Sequence, residues 1–328
     1  MPVQITIIGL GQTGASLGLA LAAHKDRVFV TGHDKEFSAE RLAKQKGAVD
    51  ATNHNLPAAV ENADLIVLAI PIHQVRETFG FIAQDIKKDA VVVDFTPVKS
   101  EVVNWAKELL PAHCYYVGLA PAVGPKYINR MDSGLDSARA DLFEKSAFLL
   151  SAPSGTPGAA MKLVSDLVSL IGATVVMTDP VESDGLMASA HLLPQLTSAA
   201  LLSATVNQPG WKEVRKVAGR AYYSVTSAFS EADDAESLSM LTLQNRQNVV
   251  HSLDRLINSL VELRDDLENE DNESLKKRLI SAQQGRKNWI SERGAGDWSG
   301  LDDKPVEKLT FMQRLFGSKF GQSTRRDG

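Results

Sequence analysis

The sequence predicts an α/β protein: a doubly wound parallel sheet in the N-terminal part, followed by an all-α C-terminal domain. Two observations carry this prediction. Up to residue 180, short runs rich in β-branched side chains alternate with helical patterns, which is typical of βαβ units. Beyond Pro180 the strand-like runs stop, and apolar residues recur at the three- and four-residue spacing of helices.

Seven strands are predicted in the N-terminal part. They are Val3–Ile8, Val28–Thr31, Leu65–Ile70, Val91–Phe95, Tyr115–Leu119, Phe148–Ser151 and Thr174–Thr178. Several of these strands are nearly continuous apolar runs, as expected when helices cover both faces of a sheet. The helices predicted between them are Thr13–Ala23, Ser38–Gln45, His73–Ile86, Lys99–Leu109 and Gly158–Leu170.

The C-terminal part is predicted to be helical. Its helices are Asp184–Val206, Lys212–Ala218, Ser237–Asp266 and Ser274–Trp289. Pro194 should kink the first of them, because its ring clashes with a preceding carbonyl. These patterns divide the chain into residues 1–180, 181–293 and 294–328.

The end of the chain is basic and amphipathic. Residues 304–328 hold six basic and two acidic residues, and apolar residues alternate with the basic ones. This pattern predicts a short helix that binds a membrane, a partner or its own domain. The alternative is a tail that packs on the fold or is partly disordered.

Composition limits the classes of protein. The chain has 328 residues, enough for two domains at roughly 150 residues each. A hydrophobic share of 44% and a charged share of 23% exclude a disordered or fibrous protein, and a net charge of −5 argues against nucleic-acid binding. One cysteine, Cys114, cannot form an internal disulfide or a cysteine-rich zinc site, so we expect no metal and a reducing, cytoplasmic compartment. Uncharged apolar runs fall short of the ~18–20 residues of a membrane helix.

A glycine-rich turn follows the first predicted strand and opens a helical pattern. Its residues are Gly9, Leu10, Gly11, Gln12, Thr13 and Gly14, a G-x-G-x-x-G pattern. In this context the first glycine allows a tight turn, the second leaves room for a diphosphate, and the third lets the helix approach the strand. Free amides at the start of the helix then hold the diphosphate. The turn predicts a dinucleotide cofactor.

Two further residues belong to the predicted cofactor site. Asp34 follows the second strand, 20 positions after Gly14, where a carboxylate accepts hydrogen bonds from the adenosine ribose hydroxyls and repels a 2′-phosphate. NAD is therefore favoured, although Lys35 would suit the extra phosphate of NADP. Pro71 ends the strand Leu65–Ile70 at the carboxyl edge of the sheet, where it should shape the backbone beside the cofactor.

Beyond the turn, the order of several blocks resembles the prephenate/arogenate dehydrogenase family of tyrosine biosynthesis. The resemblance covers roughly residues 3 to 260. The blocks are Gly9 to Gly18, Ala63 to Pro71, Asp94 to Lys99, Val117 to Gly124 and His191 to Leu196. It implies a Rossmann-type domain, a helical dimerisation domain and a homodimer. It also implies an NAD(P)-dependent oxidative decarboxylation of a small anionic substrate of the prephenate or arogenate class.

That reaction needs an acceptor for the proton of the substrate hydroxyl and a cation for a carboxylate. In the family a histidine and an arginine fill these roles. Here Ala120 stands at the position of the histidine, and Ser227, after Thr226, stands at that of the arginine. Pro97 replaces a serine of the nucleotide-side loop.

The remaining candidates for the chemistry are His191, Lys99 and Thr96. His191 is either a general base or a packed helix residue, and Lys99 either binds substrate or forms a salt bridge. Thr96 is the hydroxyl nearest to Pro97 in the chain. Two other functions stay open: a dinucleotide-binding sensor or regulatory protein without catalysis, and a β-hydroxyacid-type or imine dehydrogenase with a lysine in its cleft.

Overall fold

The computed structural model describes residues 2–130, 132–229, 235–296 and 298, and its N-terminal part contains an eight-stranded sheet. The strands are β1 (Val3–Ile8), β2 (Val28–His33), β3 (Ala51–Thr52), β4 (Leu65–Leu68), β5 (Val91–Asp94), β6 (Tyr115–Pro121), β7 (Ala147–Ser151) and β8 (Thr174–Thr178). Their order across the sheet is β3-β2-β1-β4-β5-β6-β7-β8. The winding direction reverses between β1 and β4, and a dinucleotide binds at such a point in doubly wound sheets.

The predicted parallel sheet is confirmed with one exception. Neighbouring strands pair in parallel except β6 and β7, which are antiparallel. A parallel return would need a crossover helix, whereas the described part of the connection, residues 122–130 and 132–146, has only short 3₁₀ turns at Pro125–Tyr127 and Leu135–Ser137. β7 therefore starts at the edge where β6 ends and runs back alongside it.

Helices cover both faces of the sheet. They are α1 (Gln12–Leu21), α2 (Phe37–Gln45), α3 (Leu56–Val60), α4 (Ile72–Ile82), α5 (Ser100–Leu109) and α6 (Gly158–Leu170). Alternate residues of a strand serve different cores: Leu65 and Val67 pack on the side of α1 and α6, whereas Ile66 and Leu68 pack on the side of α4 and α5. This alternation explains why the strands are apolar throughout.

The rest of the described chain is helical, as predicted. Its helices are α7 (Pro180–Met187), α8 (Leu193–Val206), α9 (Trp211–Val217), α10 (Arg220–Thr226), α11 (Ala235–Gln244), α12 (Arg246–Glu268) and α13 (Asn272–Ala295). Ala188, Leu192, Leu238, Leu241 and Val249 join the core on the α4 and α5 side of the sheet. The helical region is thereby packed against α4 and α5.

Two predicted long helices are each divided. The predicted helix Asp184–Val206 is interrupted by a π-helical turn at Ala188–Leu192, just before Pro194, which lacks the N–H that a regular helix needs. The predicted helix Ser237–Asp266 is interrupted at Asn245, which lies between α11 and α12. The predicted tail, 304–328, lies outside the described residues. Among the described helices, none is both long and apolar enough to span a membrane.

Candidate cofactor and active site

The glycine-rich turn connects β1 to α1 with a geometry that requires glycine at two positions. Gly9 has a φ of +92°, and a Cβ atom there would lie 2.5 Å from the carbonyl oxygen of Ala69. A Cβ atom on Gly14 would lie 2.0 Å from the carbonyl oxygen of Gly9. Gly9 therefore lets the turn lie against the chain that follows β4, and Gly14 lets the start of α1 lie directly against the turn.

The middle of the turn is open. A Cβ atom on Gly11 would have no neighbour within 4 Å among the described residues, and the backbone at this point is exposed to incoming groups. Gly11 is also the N-cap of α1, and neither a side-chain cap nor an acidic residue occupies the first turn, which includes Gln12 and Thr13. Amides at such a helix start suit an anion, because they point outward at the positive end of the helix dipole. The side chain of Gln12 donates to the carbonyl oxygen of Asp132 at 2.9 Å.

Asp34 is hydrogen-bonded to this turn. Its Oδ2 accepts a hydrogen bond from the Leu10 amide at 2.8 Å, and its Oδ1 accepts one from the Glu36 amide at 2.9 Å. An ionised carboxylate has about four acceptor positions, so two stay available for ligand hydroxyls. Asp34 is partly exposed, and Lys35 beside it is exposed. The geometry fits the ribose and diphosphate of a dinucleotide.

The edge of the sheet continues at the end of β4. Pro71 is exposed and caps α4 with an extended backbone, at a φ of −58° and a ψ of 148°. His73, in the first turn of α4, has its Nδ1 2.9 Å from the hydroxyl of Ser237 on α11. The helical region therefore meets the sheet edge near Pro71.

A buried ion pair lies at the end of β5. Lys99 has no exposed surface, and its Nζ lies 2.8 Å from Oδ1 of Asp94. Burial lowers the pKa of Lys99, while the nearby Asp94 carboxylate opposes that shift. Of the two roles expected for Lys99, the structure contains the salt bridge.

The hydroxyl groups of Thr96 and Tyr116 hydrogen-bond the carboxylate of this ion pair. Thr96, which is 4% exposed, hydrogen-bonds the Asp94 carboxylate through its hydroxyl, and its amide donates to Oδ1 at 2.9 Å. The Tyr116 hydroxyl donates to Oδ2 of Asp94. Burial, and then the charge of Asp94, raises the pKa of Tyr116 well above its ordinary value. Four side chains thus form one buried network.

His191 lies elsewhere, in the π-helical turn before α8. It is exposed, and the side-chain amide of Gln195 lies 3.2 Å from its Nε2 and donates to its carbonyl oxygen at 3.1 Å. Thr96 and Lys99 both contact the Asp94 carboxylate, whereas His191 lies outside this network and contacts Gln195 of α8. Ala120 is 3% exposed on β6, and Ser227 caps the C-terminus of α10.

Sequence reasoning missed Asp94 and Tyr116, and also Asp184, whose carboxylate accepts hydrogen bonds from the Lys99 and Ser100 amides. An acidic residue closing the apolar strand Val91–Asp94 is a signal that could have identified Asp94. Tyr116 offers no local signal, because its hydroxyl meets Asp94 only through the pairing of β5 with β6, and Asp184 offers none, because it lies 85 positions from Lys99. Among the described residues, no group of three or more histidine, cysteine, aspartate or glutamate side chains could hold a metal ion.

Comparisons with known proteins agree on one family. The model of the prephenate dehydrogenase nucleotide-binding domain matches residues 17–177, and that of the prephenate dehydrogenase dimerization domain matches residues 179–281. A cyclohexadienyl dehydrogenase of Zymomonas mobilis is 25% identical over 285 residues, which cover 86% of this chain and 94% of that protein. The probable prephenate dehydrogenase NovF of Streptomyces niveus is 30% identical over 267 residues, which cover 78% of this chain and 67% of that protein.

A solved structure has the same fold. The prephenate dehydrogenase of A. aeolicus, in complex with hydroxyphenyl propionate and NAD+, has a TM-score of 0.78 and 22% identity to this chain. The match covers 88% of this chain and 98% of that one. The two family models meet near residue 178, and together they cover β2 to β8 of the sheet and the helices as far as residue 281. The chain therefore belongs to the prephenate dehydrogenase family.

Proposed function

We propose that this chain catalyses the NAD-dependent oxidation of a small anionic substrate of the prephenate or arogenate class, with loss of carbon dioxide. One observation carries the proposal: the open glycine turn at Gly11 is tied by a hydrogen bond to the carboxylate of Asp34. Family membership supplies the substrate class. When bound, the nicotinamide would accept a hydride from the substrate carbon.

The adenosine half of the cofactor would lie over β1 and β2. The amides at the start of α1 would hold the diphosphate. Asp34 would accept hydrogen bonds from both ribose hydroxyls with its remaining acceptor positions, and its charge would repel a 2′-phosphate. NAD is favoured for this reason, with NADP as the alternative because of Lys35.

The nicotinamide half would lie over β4, β5 and β6. The strand order reverses between β1 and β4, and a bound dinucleotide crosses this point. Its adenosine half lies on the β1 side and its nicotinamide half on the β4 side. Pro71 and Thr96 lie just beyond the ends of β4 and β5, and Ala120 lies one residue before the end of β6. Thr96 and Lys99 are buried, so we propose that they act by holding the loop between β5 and α5 rather than by contacting substrate.

His191 is our candidate for the general base. It is exposed, histidine is the side chain that most often acts as a general base, and Gln195 orients it. His191→Ala should lower kcat roughly 100-fold. His24→Ala is the matched control, since His24 lies just past the C-terminal end of α1, away from the glycine turn. An unchanged kcat for His191→Ala would remove this assignment.

The direct test of the reaction is NADH formation. Purified protein, first shown by calorimetry to bind NAD, is mixed with NAD and either prephenate or arogenate, and the NADH absorbance is followed. We expect turnover with one of these substrates. NAD binding without turnover on either would favour the second candidate, a dinucleotide-binding regulatory protein. Ala120 and Ser227, at the family's histidine and arginine positions, support that second candidate.

We also propose a homodimer formed through the helical region. α13 has no buried residue, and α12 and α13 expose large apolar side chains. These include Ile257, Leu260, Leu279, Ile280 and Ile290. Paired helices in a dimer would cover such side chains. Light scattering at micromolar concentration should give twice the chain mass, and a monomer would contradict the proposal.

A further inference from the structure

The N-terminus of α5 is capped by a carboxylate from another part of the chain. Oδ1 of Asp184 accepts the Lys99 amide at 2.5 Å, and Oδ2 accepts the Ser100 amide at 3.1 Å. Lys99, at the N-cap position itself, provides no side-chain cap. Asp184 is 3% exposed and belongs to α7, in the helical region. A helix start at the sheet edge is thus satisfied from outside the sheet domain.

Asp184 is itself held in place by a third helix. The side chain of Asn245, at the start of α12, donates to the carbonyl oxygen of Asp184 at 2.7 Å. Asn245 is 4% exposed, and its Oδ1 accepts a hydrogen bond from Asn248 at 2.9 Å. α5 and α12 therefore both bond to one buried residue of α7, α5 through the carboxylate of Asp184 and α12 through its backbone carbonyl.

On its other side, this carboxylate connects to the loop between β5 and α5. Lys99 is bonded to Asp184 through its backbone and to Asp94 through its side chain. Asp94 in turn holds the amide and hydroxyl of Thr96. Gly118 leaves the space for this arrangement, since a Cβ atom there would lie 2.6 Å from Cδ of Lys99. The loop is fixed at both ends by buried polar bonds.

We propose that Asp184 is a positioning residue for the reaction, which sets the loop over residues 94–99 against the nicotinamide half of the cofactor. The proposal rests on the NAD site of the proposed function. A serine or aspartate at position 99 would cap α5 locally. A cap from α7 instead makes the geometry of the sheet edge depend on the helical region. Small displacements at such a position reduce catalysis strongly, because the reacting atoms lose alignment.

The test compares two ligands that share the adenosine half. ADP-ribose reaches the glycine turn and Asp34, whereas NADH also reaches the end of β5. For Asp184→Ala we expect NADH affinity to fall roughly tenfold and ADP-ribose affinity to change less than about twofold. Asp184→Asn keeps one acceptor but turns an amide N–H₂ toward the other amide, so its effect should be smaller. It serves as the second variant if Asp184→Ala does not fold.

Ser183→Ala is the matched control. Ser183 precedes Asp184 on α7, is fully buried, and its hydroxyl has no hydrogen-bond partner among the described residues. This variant should bind both ligands as the wild type does. Equal losses for NADH and ADP-ribose in the Asp184 variants would indicate general damage and overturn the proposal, as would no loss for either.

Turnover separates this proposal from the proposed function. If the wild type oxidises prephenate or arogenate, Asp184→Ala should lower kcat roughly tenfold or more, beyond any change in KM for the substrate. If the wild type binds NADH without turnover, the reaction assignment fails, while the ratio of NADH to ADP-ribose affinity still decides whether Asp184 positions the loop. An unchanged kcat in an active enzyme would also overturn the proposal.

Discussion

The adenosine end and the nicotinamide end of the same sheet edge are built in different ways. At the adenosine end, the contacts depend on backbone amides and missing side chains, as in the hydrogen bond from the Leu10 amide to Asp34 and in the glycines of the turn. At the nicotinamide end, Asp184 reaches Lys99 from 85 positions away, and a buried ion pair fixes the loop. Cofactor binding depends on local backbone geometry, whereas the alignment of the reacting end depends on tertiary contacts.

The largest expected effect concerns the buried ion pair. Lys99→Met leaves the Asp94 carboxylate buried without its cation, so the free energy of unfolding should fall by about 3–5 kcal/mol. Urea unfolding measures the loss. Adding Asp94→Asn to Lys99→Met removes the uncompensated charge and should recover most of it. A loss below about 1 kcal/mol in the single variant would mean that the pair behaves like a surface salt bridge. That result would contradict the difference drawn between the two ends of the sheet edge.

The next prediction concerns the glycine turn at the adenosine end, where an added Cβ atom can either lower stability by a steric clash or lower cofactor affinity. Gly14→Ala places Cβ 2.0 Å from a backbone oxygen and should cost about 2–3 kcal/mol of stability. Gly11→Ala meets no atom within 4 Å, so stability should change by less than about 1 kcal/mol. Its Cβ would nevertheless occupy the diphosphate position, and NAD affinity should fall roughly tenfold or more. Thermal unfolding and calorimetry distinguish the two. Equal behaviour of both variants would contradict the assignment of Gly11 to the diphosphate.

A smaller effect is expected for Tyr116→Phe. This variant removes one donor from the Asp94 carboxylate and should cost about 1.5 kcal/mol. Adenosine-end binding, measured with ADP-ribose, should stay unchanged. A loss of ADP-ribose affinity would show that the two ends are not independent.

The cost of Tyr116→Phe has a defined pH dependence. The pKa of Tyr116 is raised in the folded protein, so the phenol stays a donor to Asp94 at least up to its unfolded pKa of about 10. Its contribution is present below that pH and is lost as the pH rises through the folded pKa. The stability difference from the wild type should therefore be constant between about pH 6 and 9. A difference that shrinks within this range would contradict the placement of the phenol.

The same contrast explains what the sequence could predict. The strands, the glycine turn and Asp34 follow from local patterns, because apolar runs and glycines report on backbone geometry. The interruption at Asn245 and the antiparallel β7 were missed, since the first is set by a bond to Asp184 and the second by the route of a connecting loop. The roles of Tyr116 and Asp184 are set by partners across the fold, which a linear pattern does not reveal.

Calorimetric titration of the wild type with NAD and, separately, with NADP tests the central claim most directly. If the amides after β1 hold the diphosphate and Asp34 holds the ribose, NAD should bind at one site per chain, and NADP should bind roughly tenfold more weakly or worse. Absence of binding by both nucleotides, or tighter binding of NADP, would contradict the account.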